Sequence, residues 1–451
     1  MLSKEDNDLL CRVGPGTPMG KLMREYWIPC LPSSEFSEPD GPVKRMRLLG
    51  ENFVMWRGTD GQVGAMSEAC PHRGASMYFA RNEECGLRCV YHGWKFDVHG
   101  NCIDMPSEPS DSTFKDKIKA RAYPCRDINH MIWIYMGPRD TPPPLPTFEV
   151  LTCPPERVTE ANIMMEEANW LQNMEGDMDT VHLDWVHGKL SKDAPYAGVG
   201  ISGFWNEDAE PPRLDVQAAP YGAYYTAKRT INDGADEWHR INQFLFPFHT
   251  MISSGHHAVL RSFIPVDDEH AMLMSQSAAP GDGPMPASIA DRMDASDPYK
   301  DWGGYAERTN DPRSYFYTKA NRHNDYMMDP EIAEKSLNIG IPFIANLQDR
   351  AMTELMCGPD GEPLYDRTQE HLGTSDAMII MMRSQLLQAV KHMEKTGEAP
   401  PNVDDVSLDR VRCATVVLPA GSDWVKDSEM ARNADSGDGI SFDHHLVPEI
   451  D

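Results

Sequence analysis

Positive charge is what this chain has least of. Lysine and arginine total 42 against 70 aspartates and glutamates, giving a formal net charge of −28. That balance excludes a broad basic face for nucleic acid. An anionic ligand must therefore meet local cationic side chains, because the bulk field repels it. No run of 18 apolar residues exists, so no bilayer-spanning helix is expected. The first six residues lack the apolar h-region of a secretory signal. The 10 cysteines show no disulfide-framework spacing, which fits a reducing compartment. A cytoplasmic location is the expectation. No internal repeat is visible, which argues against a solenoid.

What is present is more telling. At 451 residues the chain has room for two domains and a sizeable core. Two mixed pairs stand out: Cys70-Pro-His72-Arg-Gly74, then Cys89-Val-Tyr-His92-Gly-Trp94. Two thiolates and two imidazoles on paired loops can hold a [2Fe–2S] cluster, with Cys on one iron and His on the other. A structural zinc accepts the same four residue types. Zinc motifs, however, ordinarily pair Cys with Cys and His with His. The arrangement, with Pro71, Arg73-Gly74 and Gly93-Trp94 flanking the ligands, resembles the Rieske cluster motif. Of the other cysteines, Cys85 lies nearest to this motif and reads as a free thiol.

Around that motif the pattern is mostly strand. Short helices are expected over 3–25, capped by Ser3 and by Thr17 with Pro18 at the first helical position. Alternation at Arg45–Leu48, a short apolar run at Phe53–Trp56 and the turn Thr59-Asp60-Gly61 indicate hairpins. Further strands are expected at Trp94–Val98 and Met131–Met136. The proline-rich stretch 141–146 is a stiff linker. It divides the chain into 1–140, holding the cluster, and 147–451. A helix is expected from Met164 to His187. Strands follow at Arg213–Gln217, Ala223–Thr230, Trp238–Phe246, His257–Phe263 and His270–Gln276, forming an antiparallel sheet. Residues 279–340 read as an irregular insertion. Helices return at Ile344–Glu354 and after a Thr374 cap, where Met378, Met381, Met382, Leu386, Ala389 and Val390 mark one face. The fold class is α+β.

A second metal site is indicated by Glu175-Gly-Asp-Met-Asp179-Thr-Val-His182-Leu-Asp-Trp-Val-His187. On a regular helix, residues five apart point about 140° away from each other. Both histidines can face one metal only if the helix distorts or ends between them. Two histidines and one carboxylate make a facial triad with open positions on Fe(II). Asp179, three residues before His182, could fix the tautomer of a histidine ligand. The third ligand must come from downstream. Asp349 is the candidate and Glu354 its rival.

Taken together the chain resembles the Rieske non-haem iron aromatic-ring oxygenases, and among them the oxygenase (alpha) subunits of the phthalate 4,5-dioxygenase branch. Residues 14–20, 88–97, 104–108 and 370–376 carry that likeness beside the metal motifs. The resemblance implies an all-β Rieske domain followed by a helix-grip catalytic domain. It implies a [2Fe–2S] Rieske cluster on Cys70, His72, Cys89 and His92, and a mononuclear Fe(II) on His182, His187 and Asp349. It further implies a head-to-tail homotrimer in which Asp179 links the cluster of one subunit to the iron of the next. The reaction is expected to use dioxygen and electrons from an NAD(P)H-dependent reductase, with or without a ferredoxin. Lys95, Arg73 or Arg88 could dock that donor.

The expected substrate is an aromatic carboxylate. O-demethylation or hydroxylation of a methoxylated, lignin-type acid is slightly preferred, on the view that Met-rich helices suit a roomy pocket. Ring cis-dihydroxylation of a phthalate-type acid is the alternative. A Rieske electron carrier without oxygenase activity is the alternative of another class. Arg229, Arg240 and Arg261 could pair a substrate carboxylate. The pairs His256-His257 and His444-His445 receive no role.

Overall fold

The structure is a computed structural model that describes residues 2–190, 210–253, 258–280, 304–342, 345–356, 364–404 and 407–433. Both His pairs without a role lie outside these residues, as does much of the stretch read as an insertion. Helix α1 (Lys4–Cys11) starts where the Ser3 hydroxyl accepts the Asp6 N–H. Helix α2 (Pro18–Arg24) starts where Thr17 accepts from Gly20, with Pro18 at its head. Both caps satisfy donors that the first helical turn leaves free.

Three small sheets follow. Strands β2 (Lys44–Leu48), β3 (Glu51–Arg57), β4 (Val63–Ser67) and β9 (Ala122–Tyr123) pair in that order. Strands β5 (Arg81–Glu83), β6 (Gly86–Arg88), β7 (Lys95–Phe96) and β8 (Cys102–Asp104) form a second sheet. A third is β1 (Trp27–Pro32), β11 (Met131–Tyr135) and β10 (Cys125–Ile128), with β11 central. Trp56, Met66, Met77, Leu87, Trp94 and Phe96 build a core of their own under the cluster motif.

The larger sheet has eight strands, all antiparallel, in the order β12 (Asn162–Glu166), β18 (Ala271–Ala278), β17 (Ala258–Pro265), β16 (His249–Met251), β15 (Asp236–Leu245), β14 (Gly222–Ile231) and β13 (Arg213–Ala219). Strand β19 (Ala414–Pro419) also pairs with β15. The β14–β15 hairpin turns at Asn232-Asp233-Gly234, where all three residues have positive φ. Asn, Asp and Gly tolerate that conformation best. The long helix Ala377–Thr396 lies against β13 and β14, burying Met378, Met382, Leu386 and Val390. It stops at Gly397, whose φ of 73° ends it in the left-handed region.

Three expectations need correction. The stretch from Met164 to His187 is not one helix. Residues 162–166 pair with β18, and the helix runs only over Trp170–Asp177, capped by Asn169. An apolar run as short as Ile163-Met164-Met165 carries no period, so strand and helix look alike there. Strands β16 and β19 were not foreseen; both are short. The long helix takes Asp376 as its N-cap, and Thr374 instead opens a single tight turn before it.

His249 is buried among Trp133, Phe148 and Phe248, with Nδ1 2.7 Å from the Ser262 hydroxyl. Burial pushes its pKa down to about 3. The folded state therefore binds this proton less readily than the unfolded chain, whose histidine titrates near ~6.5. The stabilisation is complete above that value and is lost as pH falls toward 3. Denaturant unfolding at pH 6.5 and pH 5 should show a loss approaching about 1.4 kcal/mol per pH unit from this group. His249→Gln should flatten the wild-type pH slope by that amount.

Candidate metal centres

The cluster motif sits on two loops of like construction. One joins β4 to β5, and the other is the tip of the β6–β7 hairpin. In the first, the Gly74 N–H donates to the Cys70 carbonyl at 2.9 Å and the Cys70 N–H donates to Ala75 at 2.8 Å. In the second, Gly93 donates to Cys89 and Cys89 to Trp94, each at 2.9 Å. Gly74 and Gly93 hold φ of 77° and 78°, where a side chain would be strained. Each loop thus turns back under its cysteine and lifts a histidine beside it. The His72 and His92 rings lie 4.4 Å apart, and His72 stacks on Trp94 at 4.4 Å.

These residues fit a cluster. Both cysteines are buried, whereas both histidines are partly exposed at the tip. His72 Nδ1 is buried and has no hydrogen-bond partner among the described residues, as a nitrogen kept for a metal would be. Burial raises the Cys70 thiol to about 11, and Cys89 adds to that against a backbone hydrogen bond at His72. Loading metal there must release protons. Among the described residues, the four donors are not all gathered within 4.8 Å of one another, unlike the second site below. Ligands about 2.0–2.3 Å from one zinc would be gathered so; ligands shared between two irons need not be.

The second site is built by the end of one helix and the side of another. The helix Trp170–Asp177 stops at Asp177. A single turn, Leu183–Val186, follows, with His182 before it and His187 after it. This break brings the two imidazoles together, with ring centres 5.2 Å apart. Asp349, on the helix Ala345–Thr353, points Oδ1 at both: 3.3 Å from His182 Nε2 and 3.0 Å from His187 Nε2. Ligands about 2.1 Å from a metal and at right angles are about 3.0 Å apart, so the spacing suits one ion. The three donors lie within 4.8 Å of one another.

The far side of each ring is also engaged. His187 Nδ1 lies 2.7 Å from Gln348 Oε1, and Gln348 Nε2 donates to the Ile341 carbonyl at 2.9 Å. His182 Nδ1 faces Asp179 Oδ2 at 3.6 Å. Asp179 is held by a turn: its Oδ1 accepts the Val181 N–H at 2.7 Å. Beneath it, Thr180 bonds Tyr225 and Arg240 at 2.7 and 2.8 Å. Burial by itself would lower the His182 pKa, but Asp179 and Asp349 outweigh it and raise it to about 10. Burial favours a neutral Asp349, yet His187 and His182 hold its carboxyl well below the ordinary range. A cation bound here would take the place of the His182 proton beside the Asp349 carboxylate.

A Rieske [2Fe-2S] domain model matches residues 26–124, and a LigXa C-terminal domain like model matches residues 134–446. The chain is 35% identical to the 3-chlorobenzoate-3,4-dioxygenase oxygenase subunit of Comamonas testosteroni, over 94% of this chain and 97% of that one. The chain belongs to the Rieske non-haem iron aromatic-ring oxygenases. It is an oxygenase subunit of the phthalate branch. It is 34% identical to the phthalate 4,5-dioxygenase oxygenase subunit of Pseudomonas putida, over 94% of each. It is 31% identical to the 5,5'-dehydrodivanillate O-demethylase oxygenase subunit of Sphingobium sp., over 89% of this chain and 83% of that one. Among solved structures, the Pseudomonas putida CBB5 NdmA QL mutant with theobromine shares the fold, with a TM-score of 0.55 at 17% identity, covering 85% of this chain and 96% of that one. The family uses a Rieske cluster and a mononuclear non-haem iron, and the two donor sets described above are of those kinds. An oxygenase subunit is one component of a multicomponent system. No helix of the described residues is long and apolar enough to cross a membrane.

Several charged candidates are occupied elsewhere. Glu354 is buried against Arg350 at 2.6 Å and against the Tyr326 hydroxyl, so it does not compete with Asp349. Arg261 makes a two-pronged contact with Asp177, at 2.7 and 2.9 Å. Arg229 pairs with Asp184. Arg240 is buried on Thr180 and the Ser253 carbonyl. Lys95 is buried beside Glu84, and Arg88 is bound to Glu83 and Asp104. Of the three docking cations only Arg73 stands exposed, near the Tyr91 ring.

Gln348 is the residue that sequence reasoning missed. No signal in the sequence marked it, because adjacent residues on a helix point about 100° apart and its place beside Asp349 does not bring it to the same site. Gln348→Leu should keep the fold while weakening iron retention at the His182–His187 site about 10–100-fold. Iron analysis after graded chelation, with the cluster spectrum as internal reference, checks this.

Proposed function

We propose that this oxygenase subunit oxidises an aromatic carboxylate. In this reading Cys70, His72, Cys89 and His92 hold the Rieske cluster, and His182, His187 and Asp349 hold the iron. The observation that carries it is the convergence of two Nε2 atoms and one carboxylate oxygen within 3.0–3.3 Å. Bound iron would supply dioxygen activation, and the cluster would supply electrons one at a time. The chain itself orients and tunes. Gln348 fixes the His187 ring, and Asp179 faces the outer nitrogen of His182.

Residues 1–140 and 147–451 are read as the cluster and catalytic domains. The trimer belongs to the same reading. Val90 and Tyr91, 58% and 59% exposed, stand at the cluster tip, and Trp185, 71% exposed, stands between the two iron histidines in sequence. Exposed apolar groups at both metal sites suit contact between neighbouring subunits. In that contact Asp179 would link the iron histidine of one subunit to the cluster histidine of the next. The electron donor is an NAD(P)H-dependent reductase, acting directly or through a ferredoxin.

Ring cis-dihydroxylation is the first reading of the chemistry, supported by the relatives named for 3-chlorobenzoate and phthalate dioxygenation. O-demethylation of a methoxylated acid is the second, supported by the dehydrodivanillate demethylase. The methionine argument for the second draws nothing from Met378 and Met382, which the long helix buries in the core.

Two measurements test the proposal. With a surrogate reductase, benzoates with and without methoxy groups should yield either a ring diol or formaldehyde. No oxygenated product from any aromatic acid would remove the substrate class. Asp179→Asn should retain three irons per chain, about two in the cluster and one at the mononuclear site, yet lose turnover at least about 100-fold. Unimpaired turnover with full iron would end the proposed role of Asp179.

A further inference from the structure

The stretch Asp104-Met105-Pro106-Ser107 stands out in the sequence beside the metal motifs, yet it supplies none of the proposed ligands. It begins at the end of β8 and turns at once: the Glu108 N–H donates to the Met105 carbonyl at 3.1 Å. Met105 is buried in the same core as Trp94 and the two cluster cysteines, which anchors the turn. Pro106 and Ser107 are left exposed at its corner.

The other three residues each grip the second cluster loop. Asp104 Oδ2 accepts from Arg88 Nη1 at 2.7 Å, and the same nitrogen donates to the Gly93 carbonyl at 2.8 Å. Pro106 covers Gly93 so closely that a Cβ there would fall 2.6 Å from the Pro106 Cγ. Ser107 Oγ accepts the Trp94 Nε1–H at 3.0 Å. The Trp94 side chain is otherwise enclosed, at 4% exposure, and a buried indole N–H without an acceptor is costly. Ser107 therefore decides which way the indole faces. That ring touches the first loop: Trp94 stacks on His72 with planes 13° apart and centroids 4.4 Å apart, while the His72 and His92 rings cross at 74°. His72 Nδ1 has no hydrogen-bond partner among the described residues, so packing orients the ring, and the indole is a surface it packs on.

We propose that Ser107 and Trp94 are positioning residues for the cluster: through them the turn after β8 sets the orientation and hydration of the His72 ring, and with these the reduction potential. This rests on the reading of Cys70, His72, Cys89 and His92 as cluster ligands. The physical reason is charge. One-electron reduction adds negative charge at the cluster, and nearby water stabilises that charge. The potential of such a centre follows hydrogen bonding and solvent exposure. The stacked indole covers one face of the His72 ring and keeps water from it, which holds the potential down. Without the Ser107 hydroxyl, either the indole tilts out of the stack or a water takes the place of the hydroxyl. Both bring water closer to His72, so both raise the potential.

The test is a dithionite titration of the anaerobically purified full-length holoenzyme against a redox dye, read by visible and EPR spectra, with iron and sulfide counted on the same samples. Ser107→Ala, at an exposed position, should keep the full cluster content of wild type yet favour the reduced form at least about threefold. Ser107→Thr, which restores the hydroxyl, should return the wild-type potential. Trp94→Phe, which keeps a ring but has no N–H donor, should shift the potential in the same direction as Ser107→Ala. A Ser107→Ala protein with its cluster at the wild-type potential would overturn the proposal, even if its melting temperature fell, because the contact would then be structural only. A shift that Ser107→Thr fails to reverse would overturn it as well. Failure of the ligand reading would appear separately and earlier, as wild-type protein without sulfide or a Rieske spectrum.

Discussion

The proposed iron site depends on one oxygen atom. Asp349 Oδ1 stands 3.0 and 3.3 Å from two imidazole nitrogens, and it joins chain segments far apart in sequence. Everything around it serves to bring the break after Asp177 and the flank of the Ala345–Thr353 helix to the same place. An unpaired carboxylate in this surrounding would be costly. The two imidazoles that face it offset that cost, and a metal held by all three groups would offset it further.

The helix Trp170–Asp177 is held at both ends of its last turn by buried ion pairs. Asp177 is gripped by Arg261 and by the Thr250 hydroxyl at 2.6 Å. Glu175 receives Arg383 at 2.6 Å and Arg367 at 3.3 Å, and Arg383 also binds Glu370. Pairs of this kind add little net stability over apolar packing, because each charge loses water. What they supply is direction. The helix cannot rotate without uncoupling several charges at once, so the turn that follows delivers Thr180 and His182 to fixed positions. Arg261, which looked available for a substrate carboxylate, is consumed in this way.

The two centres are held by different physics. In the cluster loops each cysteine is bonded to a glycine four residues on, and each histidine lies inside the same tight turn. The geometry is local, so a few neighbouring residues specify it. The proposed mononuclear site has no such economy. Its histidines are five apart, at the two ends of the single turn Leu183–Val186, and its carboxylate arrives through the packing of one helix on another.

That difference explains what could be read before the structure. The residues of the cluster motif were legible from spacing, because spacing within a turn is geometry. Helical periodicity said that His182 and His187 cannot share a face of one regular helix; the long helix in fact stops at Asp177, before both, and a single turn, Leu183–Val186, separates them. Asp349 came from resemblance alone, since nothing in its neighbourhood ties it to a histidine so far upstream. Strand β12 was taken for helix because three buried apolar residues have no period of their own; its identity is set by β18, its pairing partner. Strand β19 escaped for the same reason, being called into the sheet by β15. The long hairpin strands, each ten residues with turn chemistry between them, were found. Gln348 and the buried arginines are legible only once their partners are in place, because a polar side chain carries no mark of whether it will face water or a distant carboxylate.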